Sequence, residues 1–272
     1  MVFQGNMAEN GLCATTGPTA LAVARNRAAV MAELRRLMPR MGEQRKPLPF
    51  GLGTIDSHLP DGGLACGALH EVVPAAEGCI AAAFGFIAAI LGRLTYPLLF
   101  VMPAYGLRPY RPHGRLHGHG LNALGLDPAR LILVETAHRK ETLWAMEEAV
   151  RSAAPAAVVG VIDTLDLKLS QRLHLAATDA GLPVFLLRPA PTLESSAAAT
   201  RWRIGPAQAA RDRFGLVTQP RWHLQLERCR NGRPGEWVVE YDHVAHRFSL
   251  AAALADFSRA RGAGETSIRQ AS

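Results

Sequence analysis

Between Leu69 and Pro189, short apolar runs ("LHEVV", "PLLFVMP", "LILVET", "AVVGVID", "PVFLLRP") alternate with helical stretches ("AAAFGFIAAILGRL", "KETLWAMEEAVRSA", "LKLSQRLHLAATDAG"). A run that is apolar at every position offers no face to water, so it fits a strand buried on both sides. Strands of that kind joined through helices form a parallel sheet, because each crossover must carry the chain back to the same end. The expected fold class is α/β, a mainly parallel sheet covered by helices on both faces. After Ala199 the texture changes. In "TRWRIG", "PRWHLQLERCR" and "EWVVEYDH", aromatic and aliphatic residues alternate with polar ones, as in antiparallel strands with one wet face. A C-terminal antiparallel extension of the central sheet follows.

The flanks differ from this core. "PTALAVARNRAAVMAELRRLMPRM", Pro18 to Met41, has apolar residues at helical spacing and a basic polar side, which predicts an amphipathic helix. "GEQRKPLPFG" reads as a linker, and "SRARGAGETSIRQAS" as a disordered tail. The expected division is residues 1–46 for helix and linker, 47–257 for the core domain and 258–272 for the tail. The 272 residues are 49% apolar, enough for one substantial core, and their net charge of +7 comes mostly from arginine. Such a balance suits phosphate or carboxylate partners. Cys13, Cys66, Cys79 and Cys229 stand far apart and suggest neither a disulfide framework nor a zinc site. The apolar run from Cys79 stops at Arg93, after about fourteen residues, too short to cross a bilayer as a helix. Met1 to Gly17 lacks the features of a signal peptide. A cytoplasmic protein without a membrane segment is expected.

"EVVPAAEGCIAAAF", residues 71–84, runs from a strand through a turn with Pro74 and Gly78 into an alanine-rich helix. A phosphate-binding loop has this outline, but it adds a lysine charge and a hydroxyl that holds magnesium. Cys79 and Ile80 supply neither, and Glu77 places a negative charge where a phosphate would lie. From these residues alone, a strand-to-helix turn in an α/β core is the simpler reading.

The stretch Ile55 to Cys79, "IDSHLPDGGLACGALHEVVPAAEGC", resembles the entry to the RecA fold. Gly62, Gly63, Gly67 and Glu71 fall on that pattern, and Val73 to Ile80 occupy the phosphate-loop positions, Val73, Cys79 and Ile80 replacing its first glycine, lysine and threonine. "PLLFVMPAYGL" resembles the second strand, with Ala104 near the place of the catalytic glutamate. "AVVGVID" resembles the Walker B strand, leaving Asp163 as its acidic residue, and "PVFLLRP" the strand of the γ-phosphate sensor, with Arg188 near that position. The few residues between Asp163 and the next helix leave little room for a recombinase DNA-binding loop. Together with "LGLDPARLILVE", "SQRLHLAATDAGLPVFLLRP" and the C-terminal "TRWRI...PRWHLQLERCRNGRPGEWVVEYDH", the chain resembles the ImuA family from about Leu48 to Leu250. Its members are RecA-like accessory proteins of the bacterial mutasome, often described as cell-division inhibitor-like.

Other clusters carry weaker signals. His113, His117 and His119 lie in "RPYRPHGRLHGHG", at a spacing that matches no standard metal motif, so no metal is expected there. Arg201, Arg203, Arg221, Trp222, Arg228, Arg230 and Arg233 form a candidate DNA-binding set. They could neutralise phosphates and stack on single-stranded bases. Strand alternation offers the other reading, with tryptophans in the core and arginines in water. Ser195 and Ser196 have no base nearby in sequence, Asp163 and Asp166 sit at a strand end, and no catalytic constellation emerges.

The resemblance implies a non-catalytic pseudo-ATPase without a bound cofactor, supporting translesion synthesis during the SOS response. Its implied partners are the Y-family-like subunit ImuB, RecA, the error-prone replicative-type polymerase and single-stranded DNA, with self-association through the N-terminal helix. A nucleotide-dependent DNA-binding ATPase with a non-standard loop and a cell-division inhibitor are the alternatives.

Overall fold

The computed structural model describes residues 46–95, 97–104, 116–188, 195–211 and 213–251. The expected N-terminal helix, His113 and the tail lie outside them. The described elements run, in order, α1 (Gly53–Asp56), β1 (Leu69–Pro74), α2 (Ile80–Leu91), β2 (Leu98–Pro103), α3 (Gly118–Ala123), β3 (Leu131–Thr136) and α4 (Arg139–Ser152). They continue with β4 (Ala157–Val161), α5 (Leu167–Ala180), β5 (Val184–Leu187), β6 (Thr200–Arg211), β7 (Val217–Cys229), β8 (Gly235–Asp242) and β9 (Arg247–Leu250).

All the described strands join one sheet in the order β3-β2-β4-β5-β1-β6-β7-β8-β9. From β3 to β6 every pairing is parallel, and from β6 to β9 every pairing is antiparallel. β1 therefore sits at the centre, with β5 between it and β4. Of the runs apolar on both faces, β1, β4 and β5 are buried at every position. In contrast β3, expected to be buried on both sides, is the edge strand and leaves Ile132 and Leu133 exposed because it has a neighbour on one side only.

Alternate strand residues feed two cores. Val72, Phe100, Val159, Phe185 and Trp202 pack with Phe86 and Ile87 of α2 on one face. Leu69, Val101, Val158, Val184 and Leu186 pack with Met146 and Val150 of α4 and Leu173 of α5 on the other. An aromatic group of Phe50, Phe86, Trp202 and Phe248, with ring centroids 5.2–6.4 Å apart, closes the α2 side over the antiparallel half. Offset aromatic contacts of this kind add specificity to apolar burial.

The opposite face of the antiparallel half is wet, as the alternation predicts. Trp202, Ile204, Trp222, Leu224, Leu226, Val239 and Tyr241 are buried in the α2-side core. Their neighbours point the other way and pair across strands: Arg203 with Glu227, Arg221 with Glu240, and His223 with Glu236 at 2.5 Å.

Helix ends are set by local chemistry. Asp166 caps α5, its Oδ1 accepting the Leu169 N–H at 2.8 Å, and Gly181 ends it in the left-handed region. At α4, His138 occupies the N-cap while Glu141 Oε2 accepts the Ala137 N–H at 2.9 Å. Among the described residues no helix is long and apolar enough to cross a membrane.

Candidate functional site

In a parallel α/β sheet, ligands bind beyond the C-terminal ends of the strands, where crossovers diverge. Here that edge is formed by the turn after β1, Ala104 after β2, Asp163 after β4 and Arg188 after β5. The topology therefore brings the resemblance-derived positions to one edge.

The turn itself is short and closed. Val73 is buried in β1 and pairs with Arg203, and Pro74 pairs with Ile204. The Ala75 N–H donates to the Ile204 carbonyl at 2.7 Å, fastening the start of the loop to β6. Residues 75–78 are exposed. Gly78 turns the chain with φ +89°, a conformation that side chains rarely adopt. The Cys79 N–H, which a phosphate loop would aim at its ligand, donates to the Ala76 carbonyl at 3.1 Å. Ile80 opens α2 and is buried in the α2-side core, only 6% exposed. The position that would carry a magnesium-binding hydroxyl thus anchors a helix by apolar contact. These residues fit a strand-to-helix joint and do not fit a magnesium nucleotide.

The other expected positions have local roles. Ala104 donates its N–H to the Thr136 carbonyl at 2.8 Å, and its methyl supplies no base. Asp163 Oδ1 accepts the Thr164 N–H at 2.9 Å, and its carbonyl faces Arg188 Nη2 at 3.4 Å. Arg188 has no exposed side chain surface. Its Nη1 lies 3.5 Å from Glu71 Oε1, whose other oxygen accepts from Arg201 Nε at 2.7 Å. The sensor-like arginine is thereby held in a buried carboxylate–guanidinium cluster on the α5 side of the sheet. Glu71 was legible as part of the glycine-rich pattern, but its service to two arginines was not.

Gly63 explains part of that pattern. A Cβ there would lie 2.7 Å from the Leu48 carbonyl group, where Leu48 and Leu64 exchange backbone hydrogen bonds of 2.8 Å. The glycine allows the segment around Leu48 to close on the turn before β1.

Beneath the site runs a polar chain through the core. Trp202 Nε1 donates to Thr200 Oγ1 at 3.1 Å, and His70 Nδ1 lies 2.8 Å from the same hydroxyl. His70 Nε2 is 2.8 Å from the Ala65 carbonyl, which can only accept, so Nε2 carries the proton and Nδ1 accepts from Thr200. His70 is fully buried, and the loss of water lowers its pKa to about 4, the Ala65 hydrogen bond opposing and His174 adding to the shift.

The arginines of the candidate DNA-binding set have local partners. Arg201, Arg203 and Arg221 are matched by Glu71, Glu227 and Glu240. Arg228 donates to the Ser196 and Ala198 carbonyls at 2.8 and 2.6 Å, and Arg230 to that of Ala197 at 3.3 Å. Arg233 reaches the Ser57 carbonyl at 3.4 Å, and Trp222 is buried. Burial, with Arg201 nearby, lowers the pKa of Arg228. Ser195 is exposed, while Ser196 is buried and accepts the Ala198 N–H at 3.0 Å. His117 caps α3 by accepting the Gly120 N–H at 3.3 Å, with His119 5.5 Å away between ring centroids. Among the described residues no group of three metal-ligating side chains converges.

A parallel sheet in the order β3-β2-β4-β5-β1 with helices on both faces and antiparallel C-terminal strands defines a RecA-like α/β protein. The fold is similar to the crystal structure of the RadB recombinase, with a TM-score of 0.50 over 75% of this chain and 100% of that one, at 17% identity. Over 232 residues the sequence is 35% identical to Protein ImuA from two strains of Caulobacter vibrioides, covering 78% of this chain and 93% of the relative. The chain belongs to the ImuA family. No profile of a known protein family matches it.

Proposed function

We propose that the chain is an accessory subunit of the SOS-induced mutasome, supporting error-prone translesion DNA synthesis through protein contacts rather than through ATP turnover. The observation that carries the reading is the loop after β1. Its cysteine and isoleucine stand where a nucleotide site needs an ammonium and a hydroxyl, and Ile80 is spent on the core. Membership of the ImuA family supports the accessory role, and the RecA-like fold supports work beside DNA. In this reading the domain is a scaffold that bridges the Y-family-like subunit ImuB to RecA or to the error-prone replicative-type polymerase.

Co-purification of the full chain with ImuB, followed by mass measurement, tests it. The expected result is a complex of fixed stoichiometry that survives the absence of nucleotide. A chain that emerges alone, or one that binds only when ATP is added, contradicts the proposal.

A further inference from the structure

Most cations of the antiparallel half are answered inside the sheet by carboxylates or carbonyls. Beyond Ile204 the situation changes. β6 pairs with β1 only as far as Ile204, and β7 meets β8 only from Arg221 onward. The remaining residues of β6 and β7 pair only with each other among the described residues. Since β6 is parallel to β1, this two-stranded ribbon leaves the sheet at the end where the degenerate loop lies. Register shifts between Ala207 and Arg211 interrupt its ladder, and an isolated ribbon has little stability of its own.

The end of the ribbon is apolar and exposed. Phe214 is 72% exposed, Leu216 65% and Val217 59%. Two arginines frame them: Arg211 Nη1 donates to the Gly215 carbonyl at 2.6 Å, and the Arg213 guanidinium lies 4.7 Å from the centre of the Phe214 ring. Neither is ion-paired with a carboxylate among the described residues. One large aromatic, two aliphatic side chains and two guanidinium groups on a projecting tip have the composition of a binding anchor. Aromatic residues and arginine are enriched at interface centres.

We propose that this tip docks a partner protein, Phe214 and Leu216 entering an apolar pocket whose rim carries carboxylates that meet Arg211 and Arg213. A nucleic acid is the poorer occupant. The aliphatic Leu216 and Val217 offer no plane for base stacking. The inference rests on the accessory-subunit reading above and assigns the surface through which that subunit binds its partner.

The test uses the full chain and purified ImuB as the probe, with affinity measured by calorimetry. Two variants are compared with the wild type: Phe214→Ala/Leu216→Ala, which empties the pocket, and Arg211→Glu/Arg213→Glu, which opposes its rim. Both change exposed positions, so their unfolding midpoints are expected to match the wild type. Each is expected to bind at least tenfold more weakly, the size of effect seen when interface anchors are truncated. If both variants bind ImuB as the wild type does, the tip assignment is overturned while the partner reading stands. A wild-type chain that does not bind ImuB overturns the partner reading and the tip assignment with it. If the variants keep ImuB but lose affinity for an oligo-dT strand, the tip is a nucleic-acid contact and the protein-docking proposal fails.

Discussion

Glu71 has no exposed surface, yet it carries a charge that two arginines share, Arg188 at 3.5 Å and Arg201 at 2.7 Å. Removing one partner of a buried pair leaves the other charge without compensation. Glu71→Ala is therefore expected to lower the unfolding free energy by about 3–5 kcal/mol, read from urea denaturation. Replacing the pair together, as Glu71→Leu/Arg188→Met, is expected to cost clearly less than the single change. His70 gives a pH signature. Its folded-state pKa of about 4 lies below the ordinary 6.5, so the unfolded chain takes up a proton that the folded chain refuses. The contribution is complete above pH 6.5 and is lost progressively as the pH falls toward 4, up to about 3 kcal/mol. His174, held below its ordinary value by burial and by Arg230, acts in the same direction. His70→Asn is expected to be less stable at pH 7 but to lose less between pH 7 and pH 5, measured by denaturation midpoints at the two values.

At the scale of elements, the turn after β1 and the start of α5 separate structural from chemical roles. Asp166 is committed to the α5 N-terminus through the Leu169 N–H. Asp166→Ala is expected to cost about 1 kcal/mol of stability, and added magnesium is expected to change neither protein's melting temperature. A magnesium-dependent rise in the wild type alone would assign Asp166 to a metal instead. Ile80→Thr, which restores the hydroxyl of a working loop, is expected to destabilise the fold by about 1–2 kcal/mol because it places a polar group in the α2-side core. The element types were readable before their contacts were. "LILVET" coincides with β3, and "LKLSQRLHLAATDAG" with α5 and its glycine cap, because apolar periodicity and capping chemistry are local. The pairing of Glu71 with Arg201, 130 residues apart, depends on strand register and has no local signal. The ribbon tip is similar: its projection depends on where β1 and β8 stop pairing, which has no local signal either.

For the molecule as a whole, the sheet order explains why the expected positions meet and why their chemistry does not. Crossovers bring the β1 turn, Ala104, Asp163 and Arg188 to one edge of the sheet, as the resemblance to the RecA fold implied. A net charge of +7 says nothing about which cations are already answered by carboxylates or carbonyls, and the partners of Arg203 and Arg221 follow only from strand register. In the reading proposed above, the turn after β1 serves as a joint between strand and helix and not as a nucleotide site. Calorimetric titration of ATP with magnesium into the full chain, paired with a turnover assay with and without single-stranded DNA, tests it most directly. The account predicts no saturable heat and no hydrolysis; saturable binding with hydrolysis that disappears in Asp163→Asn would contradict it.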